Sequence, residues 1–163
     1  MHTSKKRLSK NFIFLAFLVC SALIFWASCA FGAVVSGTDY TWIKGSDGNW
    51  NESTSWNPEG VPNGSGDTAT VDTATDVTVT MNGSYTLGGL TVGSGDRVLI
   101  DNAQTLIVGA SASGGTIINN GTILLDATAG YTHLRANGVV TLDGSGSVEL
   151  GHDTFAQLDR DGT

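Results

Sequence analysis

VTMNGSYTLGGLTVGSGD, residues 79–96, is followed by RVLIDNAQTLIVGASASG (97–114), GTIINNGTILLDATAGY (115–131), THLRANGVVTLDGSGS (132–147) and VELGHDTFAQLDRDGT (148–163). Laid under one another, the five lines keep a common order: a short apolar run, a polar turn, a second apolar run and a return rich in Gly, Ser and Ala. The turns fall at Asn82-Gly83, Asn102-Ala103, Asn120-Gly121, Asn137-Gly138 and His152-Asp153. A fixed period, here about 16–18 residues, is the mark of a repeat architecture.

The apolar runs are short and rich in Ile, Val, Leu and Thr, as in Leu106-Ile107-Val108 and Ile123-Leu124-Leu125. That composition favours strands, and no line offers the longer Gly-free periodicity of a helix. Asn-Gly also suits a type I′ hairpin turn, so an antiparallel meander is the rival. A hairpin explains one turn per line but not the recurrence of the whole line. The expectation is therefore an all-β, right-handed parallel β-solenoid (β-helix) of about five short coils, one line to each coil. The handedness follows the general preference of parallel connections.

The segment before the repeats divides in two. Lys5, Lys6, Arg7 and Lys10 precede an apolar core from Phe12 to Ala27, and small residues follow at Ala30 and Gly32. This is the pattern of a helical signal peptide over residues 1–32, with an uncleaved membrane anchor as the rival. Residues 33–78 show no repeat and hold Trp42, Trp50 and Trp56 with both prolines, Pro58 and Pro62. A solenoid needs its end edges covered, so this stretch is expected to be an aromatic N-terminal cap. The repeats are assigned to residues 79–163, with truncation at the C-terminus.

Composition narrows the function. Cys20 and Cys29 both lie in the leader, which leaves the remainder without a disulfide, a thiol nucleophile or a cysteine metal site. Beyond the leader four cations, Lys44, Arg97, Arg135 and Arg160, stand against fifteen acids, a net charge of −11. Such a surface argues against nucleic acid, whose phosphates require neutralisation by Lys and Arg, and against anionic lipid.

The run Trp42, Gly48-Asn49-Trp50, Trp56, Gly60-Val61-Pro62 and Asp67-Thr68-Ala69, followed by TLGGLTV at 86–92, resembles the opening of autotransporter-type passenger domains and related bacterial surface proteins with β-strand repeats. The resemblance implies a secreted or cell-surface, adhesin-like segment exported through the inner membrane and attached by an outer-membrane barrel or another C-terminal anchor. Its partners would be host or environmental polysaccharide or surfaces, with membrane contact only through the leader or the anchor.

Motifs of catalysis are sparse. His133 and His152 lie outside any recognisable triad, and the chain has no nucleophile elbow, no zinc helix motif and no phosphate loop. A non-enzymatic role is expected. The alternatives are a carbohydrate-binding module stacking sugars on Trp42, Trp50 and Trp56, and a fragment of a β-helix polysaccharide lyase. Asp47, Asn49 and Asn51 alternate like a calcium loop, but Glu52 stands where its glycine belongs. Two stacking patterns follow from the expected period: a ladder of Asn82, Asn102, Asn120 and Asn137, and a column of Asp126, Asp143 and Asp159 that would repel unless a cation such as Ca²⁺ bridged it.

Overall fold

The computed structural model describes residues 36–110, 113–151 and 154–160. The expected leader, residues 1–32, and the His152-Asp153 turn lie outside the described residues. What is described is all-β, apart from one 3-10 turn at Ser53–Ser55, and its long sheets are parallel.

The strands wind into a solenoid of about five coils with three sides. The first side stacks β1 (Asp39–Trp42), β4 (Thr68–Val71), β7 (Gly89–Val92), β10 (Gly115–Asn119) and β13 (Val140–Asp143). The second stacks β2 (Gly48–Asn49), β5 (Thr78–Met81), β8 (Arg97–Ile100), β11 (Thr122–Leu125) and β14 (Ser147–Leu150). The third stacks β6 (Tyr85–Leu87), β9 (Thr105–Val108), β12 (Thr132–Ala136) and β15 (Ala156–Arg160). One strand runs against the rest: β3 (Trp56–Asn57) pairs antiparallel with β1 and edges the first side.

The expected period is corrected by the register. From the second coil on, each coil takes three strands, not the two apolar runs of one line, so Arg97 pairs with Thr122 and Thr122 with Ser147. That spacing is half as long again as the line. The solenoid also begins upstream of Val79, because β4, in the stretch expected to be cap, already pairs in parallel with β1 and β7.

Alternation places one residue in two inside. Ala69, Leu90 and Ile117 stack down the first side, Met81, Ile100 and Leu125 down the second, and Leu87 and Val108 down the third, all buried. Burying a side chain of this size contributes about 1.5–3 kcal/mol, and the stack repeats it coil after coil. The columns open at the fifth coil. Ile117 is 3% exposed, whereas its register partner Leu142 is 56% exposed, and Leu150 and Leu158 end their columns in the same way.

The first coil is filled by the tryptophans. Trp42 and Trp56 meet edge to face at 5.0 Å, Trp50 and Trp56 at 4.7 Å, and Tyr85 lies against Trp50 at 5.8 Å. Trp56 Nε1 donates to the Trp50 carbonyl (2.8 Å) and Trp50 Nε1 to that of Pro62 (3.0 Å). Trp42 Nε1 is buried without a partner. Burial pushes the Tyr85 phenol above its ordinary pKa.

Candidate functional site

Several polar side chains are employed in turning the chain. Parallel strands leave N–H groups unpaired at each corner, and side-chain oxygens from a neighbouring coil take them. Asp96, 1% exposed, accepts from Thr73 N (2.8 Å), Thr73 Oγ1 (2.8 Å) and Val77 N (3.0 Å). Asn102 Oδ1 accepts from the backbone of Thr128, Ala129 and Gly130 at 2.9–3.0 Å. Asp67 takes Thr38 N, Asp47 takes Thr78 N, and Asn120 takes Ser145 N.

An open polar recess of about 310 Å³ lies beside the first coil, lined by Lys44, Asp47, Asn49, Glu52 and Thr80 among others. Its carboxylates are already committed. Glu52 accepts from Asn49 N (2.9 Å), Lys44 Nζ (2.8 Å) and Ser55 Oγ (3.1 Å). The Asn49 backbone N–H, then the Lys44 ammonium, hold its pKa at about 2, below the ordinary 4.5. A depressed carboxylate pKa contributes stability above the ordinary value and loses it as pH falls toward the lower one. Asp47 and Asn49, read as a calcium-like alternation, thus serve the strand edge and the turn.

Trp42, Trp50 and Trp56 are 0–2% exposed, so none presents a ring to solvent. Stacking of sugars on these three residues is thereby replaced by packing of the first coil: their faces and edges are used on one another. The aspartate column is likewise dispersed. Asp143 ends β13 on the first side, Asp126 follows β11 on the second, and Asp159 lies within β15 on the third. The three-strand coil separates residues that a two-run line would stack. Among the described residues no three His, Cys, Asp or Glu side chains are placed to hold a metal ion. The asparagine ladder is split in the same way: Asn82 and Asn102 share the corner after β5 and β8, but Asn120 lies at the corner after β10 and Asn137 at that after β12.

One cluster faces outward instead. In the run Tyr131-Thr132-His133-Leu134-Arg135, Thr132 and Leu134 are buried, so the alternate residues point away from the core. Tyr131 is 54% exposed, stacks on His133 with the ring planes 25° apart, and meets the Phe155 ring edge to face at 5.4 Å. Register brings Asp159 of β15 beside Arg135. Its carboxylate takes Arg135 Nε at 3.0 Å and pairs with His133 Nδ1 at 3.0 Å. The expected aspartate column puts Asp159 in the wrong company, and His133 stands in no motif of its own. The visible signal is the alternation from Tyr131 to Arg135; the partner Asp159 requires the register.

Comparison with protein-family models, with curated proteins and with solved structures gives no match.

Proposed function

We propose that the chain is a secreted or cell-surface structural segment, adhesin-like and of the passenger type, with no reaction of its own. The winding is right-handed, the handedness that parallel connections favour. The tryptophan-filled first coil acts as the N-terminal cap, and the basic-then-apolar leader directs export. One observation carries the reading: side-chain oxygens such as those of Asp96, Asp67, Asp47 and Asn102 are consumed in capping corners around a continuous apolar core. That is the economy of a rod in which each coil leans on its neighbours. The acidic excess supports solubility outside the cell, and a cysteine-free body suits a fold sustained by its ladders.

Export is tested by fusing residues 1–163 to alkaline phosphatase, which is active only outside the bacterial cytoplasm. The fusion should be active, with activity abolished when Lys5, Lys6, Arg7 and Lys10 are replaced by Glu. An inactive wild-type fusion that accumulates intact in the cytoplasm would contradict it.

A further inference from the structure

We infer that the outer face around Tyr131, His133, Arg135 and Asp159 binds a neutral polysaccharide. The inference deepens the adhesin-like reading by naming a ligand class and its site, and rests on that reading for its setting.

The three residues of one strand face lie against one another instead of standing apart. Tyr131 and His133 stack at 6.2 Å, and Arg135 Nη2 is 3.4 Å from each nitrogen of the His133 ring. Tyrosine, imidazole and guanidinium thus form a strip from the residue before β12 into the strand. Asp159 fixes the strip from the next strand, its two oxygens 3.0 and 3.2 Å from Arg135 Nε. Ordering long side chains costs conformational entropy on binding, and here the fold has already ordered them.

The strip has the chemistry of a sugar platform. A pyranose offers an apolar C–H face and a rim of hydroxyls that both donate and accept. The exposed Tyr131 ring is an amphipathic surface for the first. Arg135 and Asp159 supply fixed donors and acceptors for the second. A guanidinium has five N–H groups, and the Nη1 pair has no partner among the described residues. Thr105 and Gln157 flank His133 on the neighbouring strands, carrying polar groups across the coils at the strand spacing of about 4.8 Å.

Charge selects a neutral polymer. The Arg135 cation is already matched by the Asp159 carboxylate, and the chain carries a formal net charge of −7 with its leader included. A polyuronate would meet a paired cation within a repelling field.

The test is affinity electrophoresis of the purified chain through native gels containing hydroxyethylcellulose, dextran or galactomannan, with polygalacturonate as the anionic polymer. At least one neutral polymer should retard the protein. Tyr131→Ala should weaken that retardation about ten-fold, as the loss of an interface anchor does, and Tyr131→Phe should keep most of it. Arg135→Gln, which keeps the fold's inward face intact, should also weaken it, and urea unfolding midpoints confirm folding of each variant. No retardation by any neutral polymer, retardation by polygalacturonate alone, or equal retardation of wild type and both Tyr131→Ala and Arg135→Gln would overturn the site. Purified protein is used, so failure here is separable from failure of the phosphatase fusion.

Discussion

Asp96 shows what a single carboxylate does in this fold. It sits at the end of a Gly-Ser-Gly return and is nearly sealed from water, yet it gathers two backbone donors and one hydroxyl from the corner of the coil before it. Removing one partner of a buried hydrogen bond leaves the others with their full desolvation cost. Asp96→Ala should therefore destabilise the protein by about 2–4 kcal/mol, read as a lower urea midpoint, and Asp96→Asn should recover part of the loss. An Asp96→Ala variant that unfolds with the wild type would mean that solvent satisfies the corner and the cap is dispensable. At this scale the sequence is least transparent. Asp96 reads as an ordinary turn residue because its donors, Thr73 and Val77, are a coil away. Tyr131, His133 and Arg135 are legible as one strand face from their alternation. Asp159 is not, since nothing in its local sequence names Arg135 as its neighbour.

At the scale of elements, the strands themselves are legible and their grouping is not. Leu99-Ile100, Leu106-Ile107-Val108, Ile117-Ile118 and Ile123-Leu124-Leu125 all lie in strands, β8 to β11 in turn. The runs are chemically alike, so composition does not say which of them stack. Their corners also differ in length: β10 and β11 are separated by Asn120 and Gly121 alone, whereas β11 and β12 are separated by residues 126–131. Uneven corners disguise a three-strand coil as a shorter even line. The first coil is legible as aromatic, but the pairing of its tryptophans is not. There, hydrogen bonding separates two otherwise similar tryptophans. Trp56 Nε1 has the Trp50 carbonyl, and Trp42 Nε1 has nothing. Trp56→Phe strands a buried acceptor and Trp42→Phe removes a buried orphan, so the first should cost more than the second by about 1 kcal/mol or more. Thermal or urea unfolding of the pair checks this. Equal losses would show that lost volume alone sets the cost.

For the whole molecule, the parallel coil determines every neighbour relation among the described residues. It places Asp159 beside Arg135, moves Asp126, Asp143 and Asp159 to three different sides, and drives the tryptophans inward. It also sets the limit of the described core, where Leu142, Leu150 and Leu158 stand half open at the ends of columns that are sealed in earlier coils. The most direct test is a cross-link across that register. Thr91 and Ile118 are parallel partners on the outer face of β7 and β10, a separation of about 4.8 Å that falls within the range a disulfide spans. Cysteines already present lie only at positions 20 and 29, so paired substitutions beyond residue 32 report on themselves. Under mild oxidation, Thr91→Cys with Ile118→Cys should form an intramolecular disulfide, seen by mass and by faster non-reducing migration, while Asp126→Cys with Asp143→Cys should stay reduced. A disulfide at 126–143 and none at 91–118 would contradict the three-strand coil and every neighbour relation drawn from it.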